Sequence, residues 1–288
     1  MAQPLPIDRL RQWRIAPARS QYGRDDTIIY ALGVGAGLSD WPEEQFVYED
    51  GLAALPSMAL TLGTPGFWAM DPALGLDWPM ILHGEQSLRM HRPLPPAGDV
   101  TGQTEIGAIA DKGTGRAALL QSTHKLFDTA SGAPVATMEA VWVLRGAGGF
   151  GGADVAVGPA LTTMPTRAAD LEVTLPTSPQ QAMLYRLTGD RNPLHILPAI
   201  ARQAGFERPI LHGLSTFGVI ARALIHGCCA GNAERLQAMR LRFSAPVYPG
   251  DVLTTRIWRQ ASNQLSFQTI CQARDVIVAD GGDAELTS

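Results

Sequence analysis

The sequence predicts an α+β chain of two halves, each a curved antiparallel sheet around a helix. Three observations carry that reading. An apolar helix at 213–227 is followed by four strand-like runs. Three more strand-like runs close the first half. Between them lies RGAGGFGGADVAVGP, Arg145 to Pro159, rich in Gly and Ala and without a sustained period, which reads as a linker. The halves are drawn at 1–150 and 160–288, and a chain of 288 residues is long enough for two domains.

In the first half the strand-like runs fall at 100–110, 117–127 and 135–144. In the second, Leu171 to Leu175 alternates as a short strand does. Ser178 and Pro179 supply an N-cap and a first-turn proline, and Gly189 a helix stop. Pro198 to Gly205 reads as a second short helix. In GLSTFGVIARALIHG, residues Leu214, Phe217, Ile220, Ala221, Leu224 and Ile225 recur at spacings of three and four, so one apolar stripe is expected. Strand-like runs then follow at 239–243, 252–258, 265–273 and 276–279.

The halves also echo one another. ILHG occurs at 81–84 and 210–213, LRMHRPLPPAGDV at 88–100 resembles LRFSAPVYPGDV at 241–252, and YALG at 30–33 echoes YRLTG at 185–189. Three matches in one order suggest a duplicated module. Their unequal spacing implies that one copy has been rebuilt.

Composition narrows the classes. With 45% hydrophobic and 17% charged residues the chain can bury a core, which argues against disorder. A net charge of -4 without a basic block points away from nucleic acid. No apolar run approaches the ~18 residues of a membrane span, and the first residues lack the apolar core of a secretory signal. Cys228, Cys229 and Cys271 make no disulfide framework. The two lysines, Lys112 and Lys125, stand among many arginines. A cytoplasmic, bacterial protein is expected.

Two motifs tempt. GAGGFG at 146–151 matches a dinucleotide fingerprint, but no amphipathic helix follows it. HGLSTFG resembles a nucleophile elbow around Ser215, but Phe217 stands where the second glycine belongs.

The stronger segment is LYRLTGDRNPLH, which puts Asp190, Asn192 and His195 within six residues. On a regular helix Asp190 and His195 would point roughly 140° apart. Pro193 and Gly189 favour a loop, which can bring them together. A carboxylate and an imidazole sharing one water could hold it and exchange protons with a substrate, with Asn192 orienting it. The plainer reading makes Asp190 and Asn192 turn residues and His195 a satisfied buried side chain. One local His and one carboxylate are too few for a metal site, and none is expected. Gly213, at the start of the apolar helix, offers either an N–H for an oxyanion or simply room for close packing.

YRLTGDRNPLH, ERPILHGL, RFSAPVYPGD, YALGVGAG, MILHGEQSLRMHRPLP, DKGTGRA and VLRGAGGFGG together resemble the hydratase 2 family. These are (R)-specific 2-enoyl-CoA hydratases, related to MaoC-like dehydratases and to the hydratase part of peroxisomal multifunctional enzyme type 2. The resemblance spans nearly the whole chain. It implies a double hot-dog fold, with a catalytic second half and a first half that makes room for the acyl chain. It implies that Asp190 and His195 activate water with help from Asn192. The N–H of Gly213 would stabilise the thioester enolate, giving syn-hydration to a (3R)-hydroxyacyl-CoA. Substrate contacts carried over are His83, Gly84, Lys112, Arg191, Pro193, Leu194 and Phe243. No cofactor beyond the CoA of the substrate is implied, and a homodimer is expected. Met58, Leu60, Leu62, Phe67 and Trp68 suit an acyl chain or a packed core equally. A hot-dog acyl-CoA thioesterase and a non-catalytic acyl-CoA-binding protein are the alternatives.

Overall fold

A computed structural model describes residues 5–152, 155–158 and 160–287. Positions 153, 154 and 159 of the expected linker lie outside the described residues. The first half carries α1 (Ile7–Gln12), β1 (Ala18–Tyr22), α2 (Arg24–Gly33), α3 (Glu44–Val47), β2 (Ile81–Met90), β3 (Gly98–Asp111), β4 (Ala118–Asp128) and β5 (Pro134–Leu144). The second carries β6 (Leu171–Pro176), α4 (Gln181–Tyr185), α5 (Pro198–Gln203), α6 (Gly213–Cys228), β7 (Leu236–Phe243), β8 (Val252–Arg259), β9 (Gln264–Cys271) and β10 (Val276–Leu286).

All ten strands form one sheet, ordered β1-β3-β4-β5-β2-β7-β10-β9-β8-β6. The order is the same in each half, reflected about the antiparallel β2–β7 seam, where Glu85 faces Arg242. This is the double hot-dog. It refines the expectation of two separate sheets, because the central pairing of β2 and β7 fuses them.

The helix content differs between halves. In the second, α6 lies on the sheet, with every residue from Ser215 to His226 buried. The single apolar stripe expected from spacing is therefore corrected: α6 is a core helix buried all round. In the first half, a 3₁₀ segment at Pro56–Thr61 occupies the sheet face instead. Its Met58 and Leu60 join Leu88, Val100, Leu126 and Met138 in the main core. The missing helix explains the unequal spacing of the repeats. ILHG leads into α6 in one half and forms the start of β2 in the other, so those two copies are not equivalent elements.

The other two repeats do correspond. Residues 88–100 and 241–252 each join two long strands, β2 to β3 and β7 to β8. Tyr30 on α2 and Tyr185 on α4 meet with ring centroids 6.1 Å apart. Gly33 permits that approach, since a Cβ there would lie 3.1 Å from the Tyr185 Cα. The helix expected from Ser178 begins later, at Gln181. The Gln181 side chain accepts the Ser178 N–H at 3.0 Å and donates to Ser215 Oγ at 3.0 Å, holding 178–180 as a turn. Gly189 ends the helical run with φ 127°, as expected.

The tempting motifs resolve as structure. The glycine-rich loop wraps a carboxylate: Asp111 accepts N–H bonds from Gly113, Gly149 and Gly151 at 2.7–2.9 Å. Ser215 is fully buried and donates to the Gly33 carbonyl at 2.9 Å.

One close approach packs the chain at Gly63 onto β3. A Cβ on Gly102 of β3 would lie 2.1 Å from the Gly63 carbonyl oxygen. Backbone on both sides leaves little room to adjust. Gly102→Ala is therefore expected to cost about 1–3 kcal/mol, the usual range for overpacking. A denaturant midpoint equal to wild type would refute this.

Candidate active site

The segment after α4 makes a loop, not a helix, because Gly189 takes positive φ and Pro193 opens a new turn. Asp190 Oδ1 accepts the Asn192 N–H at 3.1 Å, and Asn192 Oδ1 accepts the Leu194 N–H at 3.0 Å. This folds Asp190, Asn192 and His195 onto one wall of a cavity of about 360 Å³, within the size range of ligand sites. The plain reading holds for Asn192, which caps the short Pro193–His195 turn, and the residue also lines the cavity.

His195 is 8% exposed. Its Nδ1 lies 2.9 Å from the Ile210 carbonyl, so Nδ1 carries the proton and donates. Nε2 is then the basic nitrogen. Burial lowers the His195 pKa below the ordinary 6.5, partly opposed by Asp190 and by the Ile210 carbonyl. The imidazole is therefore neutral at pH 7, as a base requires.

His212 was not singled out by sequence reasoning. It is fully buried, and its ring stacks on His195 with centroids 3.8 Å apart and planes 29° apart. Its Nε2 donates to the Asp190 carbonyl at 3.2 Å, pinning the loop. Burial, with His195 adding to it, drives its pKa well below the ordinary value. The count of one local His is thus corrected. Ligand atoms of Asp190, His195 and His212 fall within 4.8 Å of one another. Two of the four ring nitrogens are committed to carbonyls, which leaves one nitrogen on each ring. No sequence signal links His212 to the loop, because the two meet only across the fold.

Gly213 is the first residue of α6, so its N–H has no acceptor within the helix. It lines the cavity with His83 and Phe243. A Cβ on Gly213 would lie 3.4 Å from the Phe243 ring and 3.6 Å from His83 Cβ. His83 meets Phe243 edge to face at 5.2 Å. Burial pushes the His83 pKa down to about 4, despite the opposing charge of Asp190.

The remaining expected contacts divide. Leu194 lines the cavity, whereas Gly84, Lys112, Arg191 and Pro193 do not. Gly84 is a packing glycine at a bulge between His83 and Glu85, where a Cβ would lie 2.9 Å from Val143. The bulge turns His83 onto the same face as Gln86. Lys112 is half-buried in the turn that Asp111 holds. Of the residues suited to an acyl chain, Leu60, Phe67 and Trp68 line the cavity, while Met58 and Leu62 belong to the core.

Fold and site together define a double hot-dog protein with an Asp–His loop facing a helix N-terminus across a largely apolar cavity. Comparison with known proteins narrows this. A model of the MaoC like domain matches residues 161–281, and a model of the MFE-2 hydratase 2 N-terminal domain matches residues 20–146. The 3-hydroxyacyl-thioester dehydratase Y of Mycobacterium tuberculosis is 41% identical over 266 residues, covering 91% of this chain and 88% of that one. The peroxisomal enoyl-CoA hydratase 2 of Arabidopsis thaliana is 33% identical, covering 95% and 93%. The crystal structure of a MaoC-like dehydratase from Phytophthora capsici superposes with a TM-score of 0.85 at 33% identity, covering 99% and 98%. The chain belongs to the MaoC-like dehydratase and hydratase 2 family.

Proposed function

We propose that the protein catalyses reversible syn-hydration of trans-2-enoyl-CoA to (3R)-3-hydroxyacyl-CoA. The observation that carries this is Asp190 and His195, with its basic Nε2, lining the same cavity as Gly213, whose N–H has no acceptor within its helix. The relatives named as a hydratase and a thioester dehydratase support it.

Asp190 and His195 hold one water by its two hydrogens. The water oxygen bonds to C3 as a proton passes to His195 Nε2, and C2 then takes that proton from the same face. His195 returns to its neutral form, and Asp190 stays charged throughout, stabilising the transient imidazolium. Negative charge gathers on the thioester oxygen, where the Gly213 N–H and the α6 dipole receive it. Asn192 positions the loop through its cap. Lys112 would meet the CoA portion outside the cavity. No cofactor enters beyond the CoA of the substrate. Among the described residues no helix is long and apolar enough to cross a membrane. A cytoplasmic homodimer working in fatty-acid metabolism fits this reading.

The test adds purified protein to trans-2-enoyl-CoA esters of several lengths. Loss of the conjugated absorbance is followed, and the product is offered to dehydrogenases specific for 3R and 3S alcohols. Rapid loss with 3R product is expected. Release of free CoA without loss of the double bond would instead mean thioester hydrolysis, and the proposal would be abandoned.

A further inference from the structure

The first-half wall of the cavity is not the plain apolar tunnel that an alkyl chain would need. On the inner face of the sheet, Gln86 of β2, Ala140 of β5 and Ser122 of β4 lie in one cross-strand row. Met138, His124 and Thr104 form the next. All six line the cavity.

Most of this polarity is already committed. His124 Nε2 donates to the Leu62 carbonyl at 3.1 Å, so its Nδ1 accepts the Thr104 hydroxyl proton at 2.9 Å. Gln86 donates its amide to the Ser87 carbonyl at 2.6 Å. Ser122 differs. It is 7% exposed as a residue and lines the cavity, its hydroxyl is not among the buried unpaired atoms, and no described residue bonds it, so it opens into the cavity. A hydroxyl that opens into a cavity bonds either a polar atom that enters with the ligand or water.

The ligand atom must be neutral. Among the described residues lining the cavity there is no Lys or Arg, and the one full charge is the carboxylate of Asp190. Burial lowers the His124 pKa, so it brings no positive charge at pH 7. A carboxylate or phosphate at this end would lose its hydration with nothing to offset the loss. The position is also set. Ser122 on β4 lies two strands from His83 on β2, roughly 10 Å across the sheet. An atom that meets Ser122 therefore sits well away from the His83 and Gly213 end of the cavity, where the thioester oxygen is received.

We propose that the acyl chain accepted here carries a neutral oxygen, as a hydroxyl or a ketone, in its distal half, and that Ser122 is the residue that binds it. This rests on the hydratase reading and names the substrate class of that site.

The test is binding rather than turnover, so that the two proposals can fail separately. Saturated decanoyl-CoA cannot be hydrated. Its dissociation constant is measured by calorimetry beside a series of esters with a hydroxyl or ketone moved along the distal half. One oxygenated isomer is expected to bind about tenfold more tightly than the plain ester, the worth of one neutral hydrogen bond. Ser122→Ala is expected to remove that ratio without lowering the melting temperature, because no protein group loses a partner. Equal binding of plain and oxygenated esters, failure to bind either, or a ratio that survives in Ser122→Ala would overturn the proposal. The last outcome would mean that the polar rows merely hold water. A decenoyl ester that binds with the expected ratio yet is never hydrated would overturn the hydratase reading and leave this one standing.

Discussion

Asp190→Asn and His195→Ala each lower kcat for enoyl-CoA hydration by roughly 10²–10⁴-fold, the usual scale of general acid–base contributions. Asn at 190 keeps an oxygen to accept the Asn192 N–H, so the turn survives while the charge that holds the water is lost. Ala at 195 removes the basic nitrogen and leaves the Ile210 carbonyl without its donor. Both proteins should bind a saturated acyl-CoA as wild type does, and Asp190→Asn should melt at the same temperature. The pH profile carries the sign. His195 works in its neutral form, and burial holds its pKa below 6.5. The acid limb of the wild-type kcat profile therefore has its midpoint below 6.5. In His195→Ala that limb should vanish. Rates within threefold of wild type in both variants would remove the loop from the mechanism.

The second large effect is on stability, and it lies away from the cavity. Arg222 of α6 is fully buried and grips Glu43 with two bonds of 2.7 Å, while its third nitrogen donates to the Val34 carbonyl at 2.8 Å. His226, one turn on, donates to the same carboxylate at 2.8 Å, as does the Gly37 N–H. Trp41 stacks on the His226 ring at 5.0 Å. Residues 34–43 of the first half are thereby fastened to the core helix of the second. Replacing Glu43 by Ala leaves a buried guanidinium unpaired and should cost about 3–5 kcal/mol. Glu43→Leu combined with Arg222→Leu should recover a substantial part of that, since removing both charges also removes the desolvation cost. A double variant as unstable as the sum of the singles would show that the pair is not coupled.

Acid should act through the same carboxylate. Burial alone would raise the Glu43 pKa, but the bonds from His226 and Arg222 outweigh it and hold it at about 2, against an ordinary 4.5. A depressed folded pKa means that its stabilisation is complete above pH 4.5 and is lost as pH falls towards 2. Wild type should lose stability across that window more steeply than Glu43→Gln. Parallel curves would exclude Glu43 as the sensor.

Much of the fold was legible in the residues. The strands β3 to β5 and β7 to β9 fall where runs of alternating or β-branched residues lie between turn signals. Gly189 and Pro193 announced a loop, and the loop has Asp190 and His195 on one wall. The duplication was visible in two of its three traces. The third misled, because ILHG has the same letters in both halves but a helix follows only one of them. The stripe expected on α6 was too narrow, since Arg222 and His226 look like a polar face until Glu43 arrives to pair with them.

What the sequence determined by itself is what neighbouring residues decide among themselves: backbone freedom at Gly189, the turns at Asp190 and Asn192, and the alternation of the strands. The tertiary structure alone brought His212 under His195, His83 beside Gly213, and Ser122 onto the cavity wall. These partners are far apart in the chain. Their meeting depends on sheet register, on the bulge at Gly84, and on a 3₁₀ segment standing in the first half where α6 lies in the second. A local pattern records the propensity of its own segment, not which distant surface will cover it.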